Sequence, residues 1–269
     1  MNHGLNNDFL YVAYKIECYF VDDLDKEKII SGTAFAVKNI RNELCLVTNR
    51  HCIDLDFKQK DSKYVNYKLS KVILHSKIKD ARTKLPYQSK NWLVANIDEF
   101  IIPNDNNNDI ACLIDVKVHK ENISDDSTLD YWIPYSIIAN EDNFTQLQIC
   151  DFVAFPSYGP WYDKVRNAPI LRTGTIASDP RFDYSWTGKD EGKCVAYEAF
   201  SYEGSSGCPV FAIQKGIKVM VNGSLMSGGF RELMLIGINA GHMETETTKQ
   251  HSGISYFYKS SAILDLIDS

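Results

Sequence analysis

At 269 residues, 44% of them hydrophobic and 24% charged, the chain can bury a large core, as one or two domains, at roughly 100–200 residues per domain. Its net charge of −6 argues against a nucleic-acid partner, because phosphate contacts call for a basic face. No apolar run reaches the ~18–20 residues of a membrane span, and the polar Met1–Phe9 stretch lacks the basic and apolar regions of an export signal, so a cytoplasmic protein without a membrane partner is expected.

Short apolar runs, rich in β-branched and aromatic residues, alternate with Asn, Asp, Gly and Pro, and long helical periodicity is scarce, which predicts an all-β chain. The first two clear runs are Gly32–Val37 and Leu44–Thr48. His51 follows the second at the opening of a turn, a rigid setting that suits a general base. A capping or surface histidine is the plainer reading of the same residue. The Lys58–Lys84 stretch is locally basic but interrupted by Asp61 and Asp80, and reads as a solvated loop. Asp109 stands immediately before the apolar run Ile110–Ile114. Asp105, in the same Asn-rich turn, is the rival carboxylate, and turn chemistry alone explains either one. A polar crossover near 119–146 contains Glu121, Asp125, Asp126 and Asp130. Further runs follow at Phe152–Ser157, Thr173–Ser178 and Leu235–Ala240.

The segment Gly204-Ser205-Ser206-Gly207-Cys208-Pro209 is the most specific signal in the chain. A serine on a glycine-flanked turn can present its hydroxyl, while the N–H groups of Gly204 and Ser206 converge as an oxyanion hole. Ser260–Ile267 closes the chain with helical spacing of its apolar residues, a further strand being the alternative. The seven cysteines, at 18, 45, 52, 112, 150, 194 and 208, include no C-x-x-C pair, so neither zinc nor any other metal or cofactor is expected, and their odd number suggests reduced thiols.

Taken together, G-T-A-F-A-V before L-V-T-N-R-H-C, then D-I-A-C-L, then G-S-S-G-C-P resemble the histidine, aspartate and serine boxes of trypsin-like serine peptidases. The order His–Asp–Ser separates that family from others that carry the same triad. The boxes at Cys150–Gly159, Thr173–Ser178 and Leu235–Gly241 extend the resemblance over roughly residues 30–242, closest in look to bacterial Deg-type and stand-alone enzymes. It implies two packed antiparallel six-stranded β-barrels and a short C-terminal helix. The N-terminal barrel would cover 1–118, the crossover linker 119–146 and the C-terminal barrel 147–269.

The resemblance also implies roles. His51, Asp109 and Ser206 form the triad, with an acid limb in activity near pH 6.5–7. Phe200 is the floor of the specificity pocket. Tyr202, Asn239, Ala240 and Gly241 bind substrate, with His242 at the rim and as the competing histidine. The strand edge over 237–241 pairs with substrate backbone. An aromatic floor argues against basic residues before the scissile bond and for small, apolar or neutral polar ones. Secreted relatives tie the cysteine after their histidine to one before it. Here Ser31 falls near that partner position, so Cys52 is expected free. Ser205 carries no charge to receive a new N-terminal ammonium, so activation by trimming is not expected. The loop from Glu203 to Ser206 is then either ready-made or set by a regulatory protein partner. The function implied is a serine endopeptidase acting on proteins or peptides. The alternatives are a catalytically inactive, protease-like binding module and an esterase.

Overall fold

The computed structural model describes residues 4–58, 63–120, 126–216, 219–221, 224–226, 229–245 and 247–269. Eight strands build the first unit: β1 (Ala13–Val21), β2 (Glu27–Lys38), β3 (Leu44–Thr48), β4 (Lys68–Lys79), β5 (Pro86–Val94), β6 (Ala111–Leu113), β7 (Val118–Lys120) and β8 (Asp126–Ser127). Each pairs antiparallel with its neighbours in the order β6-β3-β2-β1-β4-β5-β7-β8. β1 shows the physics plainly. Tyr14, Ile16, Cys18 and Phe20 are buried, while the alternate residues Lys15, Glu17 and Tyr19 are only partly covered, the period of two expected of a strand with one face on a core. Leu113 of β6 and Val118 of β7 share that core, so the sheet curls on itself. It is an open, eight-stranded sheet rather than a closed six-stranded barrel.

The second unit is a closed six-stranded barrel. Its strands are β9 (Phe152–Ser157), β10 (Ile170–Ile176), β11 (Cys194–Glu198), β12 (Pro209–Ala212), β15 (Met234–Glu244) and β16 (His251–Lys259); the hairpin β13 (Val219–Val221) and β14 (Ser224–Met226) stands apart. Phe155 and Tyr197 meet edge to face in its core at 5.5 Å. Cys208 is fully buried there, and burial pushes its thiol well up, so it packs as a small apolar residue beside the nucleophile turn.

The two units share a third core. Phe35, Val37, Cys45 and Val47 of β2 and β3 face Phe211, Leu235 and Ile238 of the barrel, while the intervening Ala34, Ala36 and Leu46 face the core of the first unit. Strands buried on both faces need unbroken apolar runs, which is why A-F-A-V and L-C-L-V read as they do. The helix α1 (Ser260–Ile267) packs on β15 and β6 and sinks Ala262, Ile263, Leu266 and Ile267 into this shared core.

Two stretches differ from their sequence reading. Lys58–Lys84 holds β4, with Val72 and Leu74 buried; lysines on the outward positions of that strand gave it the look of a loop, and residues 59–62 lie outside the described residues. The crossover is stitched to both units: Ile133 N–H donates to Ala36 O at 2.8 Å and Ala139 N–H to Leu235 O at 2.9 Å. Tyr131, Ile133 and Ile138 are buried between the units, and Glu121 and Asp125 lie outside the described residues. Among the described residues no helix is long and apolar enough to cross a membrane.

Candidate active site

The serine turn is shaped by two glycines. Ser205 N–H donates to Tyr202 O at 2.8 Å and Cys208 N–H to Ser205 O at 3.2 Å, closing two successive turns. Gly204 and Gly207 sit at φ +86° and +84°, the left-handed region that favours glycine. Space is as restrictive as torsion, since a Cβ at Gly207 would lie 2.0 Å from Thr33 O and one at Gly204 2.7 Å from Tyr158 O.

Two residues fasten this turn. Thr33, from the first unit, donates its hydroxyl to Gly204 O at 2.7 Å and its N–H to Ser206 O at 2.9 Å. Asn239 donates through Nδ2 to Ser205 O and accepts Gly207 N–H at its carbonyl, both at 2.9 Å, while Tyr197 OH donates to its Oδ1 at 2.7 Å. With those bonds made, the amides of Gly204 and Ser206 have no hydrogen-bond acceptor among the described residues. Thr33 stands inside the G-T-A-F-A-V run, which does not by itself mark it for this role. Its contacts span 171 positions of chain, and no local pattern reports them.

His51 lies in a 3₁₀ turn, Arg50–Cys52, directly after β3. Asp109, 7% exposed, enters β6 from the other side. Its Oδ2 is 2.6 Å from His51 Nδ1, and its Oδ1 accepts His51 N–H at 2.9 Å. Asn49 Nδ2 donates to the backbone carbonyl of Asp109 at 2.7 Å and ties the main chain that carries this acid to the His51 turn. Asp105 instead accepts the N–H groups of Asn107 and Asn108 at 2.8 and 3.0 Å, so the rival acid does the turn chemistry. Burial opposes a charged His51 ring, but the neighbouring Cys52 sulfur and the Asp109 carboxylate outweigh it and hold the imidazole well above its ordinary value. The His51 side chain is 34% exposed. The hydroxyl of Ser206 makes no hydrogen bond, to His51 or elsewhere, among the described residues.

The serine turn and the histidine turn meet over Gly32: a Cβ there would lie 3.1 Å from Cys52 Sγ and 3.4 Å from Ser206 O. All seven cysteines are free, and the residue facing Cys52 is Gly32 rather than Ser31. A disulfide sets one Cβ about 3 Å from the partner's sulfur. Gly32→Cys is therefore expected to bridge to Cys52 under oxidising conditions. Closing a loop of about 20 residues should stabilise the fold by ~3 kcal/mol. Thiol titration and melting with and without reductant check this; equal melting temperatures together with an unpaired new thiol would contradict the geometry.

Beside Ser206 opens a cleft of about 300 Å³, lined by Ser201, Tyr202, Glu203, Asn239, Gly241, His242, Glu244 and Tyr256. Tyr202, Asn239, Gly241 and His242 thus come together as the sequence suggested. Phe200 and Ala240 do not line it. Ala240 points into the core between the units. Phe200 is 50% exposed and lies against Tyr202 and His251. The chain leaves β11 with Ala199 N–H bonded to Gly253 O, and with that phase Ser201, not Phe200, turns inward, 1% exposed. A shift of one residue changes the face a side chain takes. β12 already pairs with Gly237 and Ile238 of β15, so of the 237–241 edge only the part beyond Asn239 has no strand partner among the described residues, a geometry suited to an added extended peptide. Among the described residues no group of three or more His, Cys, Asp or Glu could hold a metal ion.

No protein-family model matches the sequence, and no curated protein matches it. Solved structures do. The HtrA-type protease AlgW, in complex with a tripeptide, superposes with a TM-score of 0.50 at 14% identity over 95% of this chain; the chain spans 58% of the AlgW chain. A thermostable serine protease, AL20, from an extremophilic microorganism superposes with a TM-score of 0.50 at 11% identity, over 96% of this chain and 95% of its own. At such identities the likeness is one of fold: a barrel and a curled sheet packed as in trypsin-like, HtrA-type proteases.

Proposed function

We propose that the chain is a serine endopeptidase. Ser206 Oγ attacks the scissile carbonyl as His51 Nε2 takes its proton. The resulting oxyanion is met by the N–H groups of Gly204 and Ser206. Collapse expels the amine, which receives the proton from His51, and leaves an acyl-enzyme on Ser206. Water, deprotonated by the same His51, then releases the acid. Asp109 holds the ring so that Nε2 presents its lone pair to the serine. The observation that carries this reading is the His51–Asp109 pair at 2.6 Å, held beside a glycine turn whose two amides have no acceptor among the described residues. The open edge of β15 supports a peptide rather than a small ester as substrate.

A second reading, a protease-like module that binds without cleaving, is favoured by one feature, the missing hydrogen bond between Ser206 and His51. Such bonds are often long before substrate arrives, which weighs toward the enzyme. Labelling with a fluorophosphonate separates the two. One adduct per chain, mapped by mass spectrometry to Ser206, is the expected result. An unlabelled, folded protein would favour the binding module.

A further inference from the structure

The cleft beside Ser206 holds more hydrogen-bonding capacity than its own residues use. His242 lies flat on His251, with ring centroids 4.2 Å apart and planes 16° from parallel. His251 is held from behind by Gly253 N–H at Nδ1, 2.8 Å. A neutral imidazole has one acceptor nitrogen and one N–H, so it takes the Gly253 amide at Nδ1 and turns its own Nε2–H toward Ser255 Oγ, 3.4 Å away. Burial first, then His242 and Arg172, push His251 down to about 4. It is therefore an uncharged platform that fixes the plane of His242. The ring nitrogens of His242 itself have no hydrogen-bond partner among the described residues. The Ser201 hydroxyl lines the cleft and is held from behind by Ser255 Oγ at 2.9 Å, which itself donates to Ala199 O.

From this we propose that the cleft receives the side chain preceding the scissile bond and selects a neutral carboxamide, glutamine or asparagine, with His242 as the residue that reads it. The inference rests on the peptidase reading of Ser206. An imidazole N–H donates to the carboxamide oxygen, and the carboxamide N–H₂ finds acceptors at the Ser201 hydroxyl and at Glu244. The other classes fit less well. A carboxylate would enter between Glu203 and Glu244, which line the cleft and are exposed at its mouth, and the Arg172 guanidinium that could offset them sits over the Tyr202 ring, outside the lining. A lysine or arginine would meet Glu203 and Glu244 only at the exposed mouth, where water screens the pairing, and would find no buried carboxylate deeper in. An apolar side chain would cover the ring nitrogens of His242 without giving them a partner, which is costly.

Fluorogenic peptides that differ only in that residue, Gln, Asn, Glu, Ala, Leu or Lys, test it. The wild type should cleave the Gln or Asn peptide with kcat/KM about 10-fold or more above the Leu and Lys peptides. His242→Ala should lower the Gln-to-Ala ratio of kcat/KM by about 10–100-fold, the range expected when a site built to hydrogen-bond loses its donor. His242→Phe, which keeps a ring on His251, should do the same and guards against a folding defect in the alanine variant. A profile led by Lys, Leu or Glu, or a ratio unmoved in both variants, overturns the assignment and leaves the peptidase reading standing. If no peptide is cleaved, the assignment falls, and fluorophosphonate labelling of Ser206 then decides whether the peptidase reading falls with it.

Discussion

Ser206→Ala is expected to reduce peptide hydrolysis by about 10⁴–10⁶-fold with almost no change in stability. The two effects separate because the hydroxyl of Ser206 makes no hydrogen bond among the described residues, whereas its backbone carries the contact to Thr33 that holds the turn. Removing Oγ takes away the attacking atom and leaves that contact intact. Ser205→Ala is the control. Ser205 is fully buried, with Oγ 3.3 Å from Ser157 Oγ, facing the barrel rather than the cleft. Rates from fluorogenic peptides and unfolding by circular dichroism give both quantities. An active Ser206→Ala with a dead but folded Ser205→Ala would move the nucleophile by one residue.

Asp109→Asn should cost about 10⁴-fold in kcat, the scale seen when a triad aspartate loses its charge but not its shape. An amide N–H₂ at that position donates to Nδ1 instead of accepting from it. His51 is then driven to the tautomer that carries its proton on Nε2, and the lone pair that should receive the serine proton is gone. The pH profile shifts as well. In the wild type the His51 ring is held well above its ordinary value, against the effect of burial, by Cys52 and the 2.6 Å contact to Asp109. A general base works when neutral, so the acid limb of kcat/KM should lie above ~6.5, the ordinary histidine value, and higher than the sequence alone suggested. In Asp109→Asn the limb should move down.

Stability follows the same linkage. A pKa raised in the folded state contributes stability that is present in full below the unfolded value and fades as pH rises through the folded one. The stability difference between wild type and Asp109→Asn should therefore be largest below pH ~6.5, the ordinary histidine value, and shrink as pH rises through the raised folded-state value. It should not vanish, because the bond from His51 N–H to Asp109 Oδ1 does not depend on the proton. A gap that widened with pH would contradict the assignment of the pair.

Some of this protein was legible residue by residue. Glycines at 204 and 207 mark a turn that only glycine can make, and that torsional limit is local, so the sequence displays it. The same holds for the apolar runs of β2, β3 and β6, whose burial on both faces leaves no room for polar alternation, and for the apolar spacing of α1. Other features were decided by the tertiary structure. Asp105 and Asp109 look alike in the chain, and only the approach of β6 to the His51 turn gives one of them the histidine. Phe200 turns outward and Ser201 inward because the phase in which the chain leaves β11 is set by its pairing with β16. Lysines on one face of β4 hid a strand whose other face carries core. Thr33 and Asn239, which hold the serine turn from opposite sides, and Gly32, which faces Cys52, act across distances in sequence at which no pattern survives. Backbone torsion and burial period are properties of neighbours along the chain, whereas the site is made by contacts between segments that meet only once the barrel and the curled sheet have packed.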